Sequence, residues 1–137
     1  MPDYERNLTM AHEDYLESIY VITIQSGSPE EGIRSVDVAE ERNVSKASVN
    51  KAISTLKESG YVEQTRYGRV KLTDAGAAYA ADVWRSHRLL RMFLEKDLGV
   101  DPETANEEAC LMEHTLSYDT VSKWMDYLER QGHRIDD

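Results

Sequence analysis

Cys110, Glu113 and His114 stand at positions i, i+3 and i+4 of one short run, Cys-Leu-Met-Glu-His. On a helix that spacing brings a thiolate, a carboxylate and an imidazole to one face. Such a donor set suits a borderline first-row divalent metal. Two further groups of metal-competent side chains lie upstream: Asp14 and Glu17, an i, i+3 pair of hard oxygen donors, and the lone imidazole of His87. Taken singly, each has a plainer explanation. A cysteine among apolar neighbours is usually a small core residue, a helical Glu-His pair is ordinarily exposed, and Asp14 and Glu17 stand among other acids. Residue types alone do not bring the three segments together.

The elements that must position these side chains follow from periodicity. Apolar residues recur in a helical stripe from Met10 to Ile24, and Gln25 to Gly32 is turn chemistry with two glycines and a proline. Ser35 reads as the N-cap of a short helix ended by Asn43. Ser45 caps a third helix carrying Val49, Ala52, Ile53 and Leu56, which Gly60 closes. The period then changes to two: Tyr61 to Arg66 and Arg69 to Leu72 alternate around Tyr67-Gly68, a short hairpin. Thr73 or Asp74 opens a long helix to about Gly99, Pro102 starts the next, and Ser117 caps a last one before a polar tail. The expected fold is mainly α: a winged helix-turn-helix DNA-binding domain over residues 1–73, then a helical metal-binding and dimerisation domain over residues 74–137.

Charge supports that order. The chain of 137 residues carries a net −10, yet between Arg42 and Leu72 seven cations face two acids, a local +5. A basic window in an acidic chain is the footprint of a phosphate-binding surface. Ser45, Lys46, Ser48, Asn50 and Lys51 occupy the first turns of the third helix, off its apolar face, where a recognition helix meets base edges. Arg66, Tyr67 and Arg69 bracket the hairpin tip, which would approach the DNA backbone.

Several classes are set aside. No apolar run is long enough for a membrane span, the N-terminus lacks the apolar stretch of a secretory signal, and one cysteine builds no disulfide framework. A cytoplasmic protein is expected. Neither HExxH, a P-loop nor a nucleophile elbow occurs, so no catalytic activity and no small-molecule substrate are expected.

Four runs carry a resemblance across nearly the whole chain: His12-Glu-Asp-Tyr-Leu-Glu-Ser-Ile-Tyr20, Leu72-Thr-Asp-Ala-Gly76, Ser86-His-Arg-Leu-Leu-Arg-Met-Phe-Leu94, and Glu108-Ala-Cys-Leu-Met-Glu-His-Thr-Leu-Ser117. With the helix-turn-helix, they resemble the diphtheria toxin repressor family of iron- and manganese-dependent regulators, in the short architecture without an SH3-like domain. The resemblance implies that Asp14, Glu17, His87, Cys110, Glu113 and His114 hold the metal. Cys110 matches the iron-type branch and Asp14 the manganese-type branch, so the site is mixed. The iron-type second-site glutamate and histidine correspond to Arg91 and Asn106, which implies that the ancillary site is absent.

A thiolate favours Fe(II), Co(II) or Zn(II), whereas Asp14 and Glu17 suit Mn(II) or Fe(II). Fe(II) satisfies both sets and Mn(II) follows closely, with Co(II) or Zn(II) as substitutes. The expected function is a metal-dependent repressor of metal-homeostasis genes that binds a double-stranded DNA operator as a homodimer. Metal would bias the spacing of the two recognition helices. Leu89, Leu90, Phe93, Leu94, Leu111, Leu116, Val121, Trp124, Met125 and Leu128 are expected at the dimer surface. The alternative is a winged-helix regulator answering to a small organic effector or to none.

Overall fold

Thr9 starts the first helix by accepting a hydrogen bond from the His12 amide at 3.2 Å, and Gly27 ends it in the left-handed conformation that glycine tolerates. The computed structural model describes residues 8–27 and 30–133. Within them lie α1 (Met10–Ser26), α2 (Ser35–Arg42), α3 (Lys46–Glu58), β1 (Val62–Gln64), β2 (Val70–Leu72), α4 (Asp74–Lys96), α5 (Pro102–Thr115) and α6 (Tyr118–Arg130). Ser28 and Pro29 of the expected turn, and the last four residues of the expected tail, lie outside the described residues.

The chain divides into two compact units between Ala81 and Asp82, inside α4. The sequence boundary at 73/74 falls at the start of α4. The first two turns of α4 bury Tyr79 and Ala80 with the first unit. Tyr79 donates to the Glu13 carboxylate and stacks edge-on against Tyr61, with ring centroids 5.0 Å apart. Burial, and then the Glu13 charge, push the Tyr61 hydroxyl above its ordinary pKa.

In the first unit, Leu16 and Ile19 of α1, Val38 of α2, and Val49, Ile53 and Leu56 of α3 are buried together with Val70 of the sheet. The helix-turn-helix bend is made by Asn43, whose φ of 55° is left-handed, followed by Ser45, whose hydroxyl accepts from the Ser48 amide at 3.1 Å. Ser35 proves to be the first residue of α2 and not its cap. Arg34 takes the N-cap position without a side-chain cap bond, and pairs instead with Asp37 at 2.9 Å. β1 and β2 pair antiparallel with Glu63 opposite Lys71, and Ile33 adds an isolated bridge to Val70. The strands are shorter than alternation suggests because Thr65 to Gly68 closes into a turn, with Gly68 donating to the Thr65 carbonyl at 2.9 Å.

In the second unit, α4, α5 and α6 enclose a core of Leu89, Leu90, Leu94, Ala105, Ala109, Val121, Met125 and Leu128. Asp101 caps α5 through the Thr104 amide at 3.0 Å, which holds its carboxyl below the usual range, and Ser117 caps α6. This core corrects the expected dimer surface. Leu89, Leu90, Leu94, Val121, Met125 and Leu128 are buried inside the single chain, since three helices suffice to cover one another's apolar stripes. Phe93 and Trp124 are half-buried and meet edge-on at 5.8 Å, while Leu111 and Leu116 remain exposed.

Candidate metal centre and nucleic-acid surface

The spacing of Cys110, Glu113 and His114 does become one face of a helix, because α5 runs unbroken from Pro102 to Thr115. His87 comes from α4 in the same unit. Ligand atoms of His87, Cys110 and Glu113 all lie within 4.8 Å of one another. Glu113 is buried at 1% exposure, a costly place for a carboxylate unless cations or donors surround it. Its Oε1 lies 3.7 Å from His87 Nδ1 and 3.7 Å from His114 Nε2. Cys110 is half-buried and a ligand atom of His114 lies within 4.8 Å of its thiol.

These residues fit a divalent metal. Bonds of about 2.0–2.3 Å set neighbouring donors roughly 3–3.5 Å apart, close to the separation between His87 and Glu113. The donor set mixes one soft thiolate, borderline imidazoles and one hard carboxylate, as a first-row ion accepts. His87 Nε2 is occupied elsewhere, 2.7 Å from Asn106 Oδ1.

Asp14 and Glu17 belong to the first unit, half-buried on α1. The Asp14 carboxylate lies 3.7 Å from the Arg42 guanidinium, which also reaches Ser18 Oγ at 3.1 Å. Arg42, from the end of α2, belongs to the basic window, and no local signal in the sequence announces its reach to α1. In the sequence, Glu13 stands among the acids around Asp14. Yet it follows the core stripe with Leu16, three positions on, and is 4% exposed.

Ser45, Lys46, Ser48, Asn50, Lys51, Arg66, Tyr67 and Arg69 are all exposed, Tyr67 to 85%. The residues differ in what they have left to offer. Ser45 spends its hydroxyl on Ser48, accepting from its amide and bonding its Oγ at 3.0 Å. Arg69 directs one guanidinium nitrogen at the Gly32 carbonyl, 3.4 Å away.

Two family descriptions match successive stretches of the sequence. Residues 7–70 match the iron dependent repressor N-terminal DNA binding domain, and residues 73–134 match the iron dependent repressor metal binding and dimerisation domain. The chain is 33% identical over 132 residues to the HTH-type transcriptional regulator MntR of Shouchella clausii, covering 94% of this chain and 89% of that one. It is 31% identical to an uncharacterised HTH-type transcriptional regulator of Methanocaldococcus jannaschii, covering 90% and 96%. Among solved structures, the metal-dependent transcriptional regulator MtsR superposes with a TM-score of 0.71 at 33% identity over 87% of this chain. The manganese regulator SloR does so with 0.71 at 30% over 86%. The chain spans about half the length of those two solved structures, 52% and 53%.

Proposed function

Because the chain belongs to the iron-dependent repressor family, we propose that it is a homodimeric, non-catalytic repressor whose hold on an operator is set by divalent iron or manganese. The gathering of His87, Cys110 and Glu113 within 4.8 Å is the observation that carries this reading. His114 completes the set on α5, and Asp14 and Glu17 join it on the strength of the resemblance. A bound divalent ion supplies positive charge and Lewis acidity to this cluster of donors.

The residues do the rest. Glu113 and, once a metal displaces its proton, Cys110 concentrate negative charge in a sheltered place. Two unit charges 4 Å apart at an effective dielectric near 20 repel by about 4 kcal/mol. On the ligand set that the resemblance implies, metal uptake would be coupled to DNA binding. At metal about 100 times the dissociation constant, the free energy available is about 2.7 kcal/mol per site. Lys46, Lys51 and Arg66 would hold phosphates while Asn50 and Ser48 face base edges. Exposed Leu111 and Leu116 supply apolar surface for a second copy of the chain.

One observation favours an organic effector instead. A cavity of about 360 Å³ in the first unit is lined by Tyr20, Thr23, Ile24, Leu72 and Ala77 among others, a size and polarity that suit a small ligand. The two readings part on metal dependence. A DNA sequence selected from a random library by the metal-loaded protein should be bound with Mn(II) or Fe(II) and released by excess chelator. Equal retention in chelator would refute metal control.

A further inference from the structure

Asn106 stands on α5 one turn before Cys110, so Asn106, Cys110 and Glu113 at i, i+4 and i+7 share one face of the helix. Its Oδ1 lies 2.7 Å from Nε2 of His87, nineteen residues away on α4. A carboxamide oxygen only accepts, so Nε2 carries the hydrogen and donates it. A neutral imidazole protonated at Nε2 has its lone pair on Nδ1. Nδ1 is the nitrogen that faces Glu113 Oε1 at 3.7 Å.

We infer that Asn106 is a positioning residue of the metal centre: it locks His87 as the Nε2–H tautomer and turns Nδ1 toward Cys110 and Glu113 as the ligand nitrogen. What Nδ1 binds rests on the proposed function; the tautomer does not. An imidazole ligand needs its lone pair already aimed at the ion, and an acceptor on the opposite nitrogen both fixes the ring and raises its basicity. Asn106 does this from the helix that also carries Cys110 and Glu113, so one rigid element sets the direction of a donor on another. The arrangement also commits His87 to a single ion, since its second nitrogen is engaged by an amide. One turn beyond His87 on α4, Arg91 pairs with Glu95 at 3.0 Å.

The full-length chain, Asn106→Ala and Asn106→Asp can be compared by two readouts. Nitrogen-15 NMR of the His87 ring in the metal-free protein should report a dominant Nε2–H tautomer in the wild type and a mixture in Asn106→Ala. Co(II) titration, followed by absorption against a competing chelator, should show roughly tenfold weaker uptake by Asn106→Ala, the low end of the usual 10–100-fold because Asn106 is exposed. Asn106→Asp, which keeps an acceptor, should recover both. Thermal midpoints of all three should agree, which separates positioning from folding. An Nδ1–H tautomer in the wild type overturns the inference, as does Co(II) uptake unchanged in Asn106→Ala, which leaves the metal reading standing. A wild type that takes up no Co(II) removes the metal reading and this inference with it.

Discussion

Oε1 of Glu113 lies 3.7 Å from Nδ1 of His87, and the two side chains reach that distance from different helices. A buried carboxylate costs the fold stability unless a cation or donors compensate it. Glu113→Gln keeps the shape and removes the charge. The metal-free variant should therefore melt at the same temperature as the wild type or higher. Metal should then fail to raise it, whereas for the wild type a hundredfold excess over the dissociation constant adds about 2.7 kcal/mol. Calorimetric melting with and without Mn(II) checks both halves.

Cys110 sets the softness of the site. Replacing it by glutamate leaves a hard donor set of carboxylates and imidazoles, which suits Mn(II) better than a thiolate does. Competition titrations of Cys110→Glu against the wild type should show the ratio of Mn(II) to Co(II) affinity rising by at least tenfold. An unchanged ranking would mean that Cys110 does not touch the ion.

Gly76 tests the junction of the wing and α4. A Cβ built there would meet the Tyr61 carbonyl oxygen at 1.8 Å, a backbone atom that cannot swing aside. Gly76→Ala should destabilise the first unit by about 3 kcal/mol or more, because overpacking against main chain is relieved only by moving an element. Urea unfolding followed by a probe in that unit would measure it.

The basic surface should divide into positioning and reading residues. Lys46→Ala and Arg66→Ala should each weaken DNA binding evenly across sequences, lowering the slope of log affinity against log salt by about 0.9. Asn50→Ala should cost about 1–3 kcal/mol on the preferred sequence and little elsewhere. Gel retardation at several salt concentrations separates the two behaviours.

Leu111 and Leu90 should respond differently although both are leucines on helices of the second unit. Leu111→Asp, at an exposed position, should shift sedimentation toward the monomer with little loss of fold. Leu90→Ala, at a fully buried one, should cost about 2–5 kcal/mol of stability.

That contrast marks where the sequence stops being readable. Caps and punctuation are local chemistry, so Ser45, Pro102 and Ser117 announce their helices, and Tyr67-Gly68 announces the hairpin turn. The i, i+3, i+4 spacing of Cys110, Glu113 and His114 is likewise local and becomes one helical face. Burial by partners distant in sequence is not local. The stripe through Leu89, Leu90 and Leu94 says that the face is covered, but not whether by α5 and α6 or by another chain. The Glu13 carboxylate sits in a core stripe because Tyr79, sixty-six residues later, supplies its hydroxyl. Asn106 was visible as a position lacking a family ligand, but its bond to His87 depends on how α4 and α5 pack.

Anomalous scattering from crystals of the Mn(II)-loaded protein bears most directly on the central claim, that His87, Cys110 and Glu113 hold one ion. The account predicts a peak with His87 Nδ1, Glu113 Oε1 and Cys110 Sγ each at coordination distance, about 2.0–2.5 Å. A peak elsewhere on the chain, with the Glu113 carboxylate still facing its two imidazoles undisturbed, would contradict it.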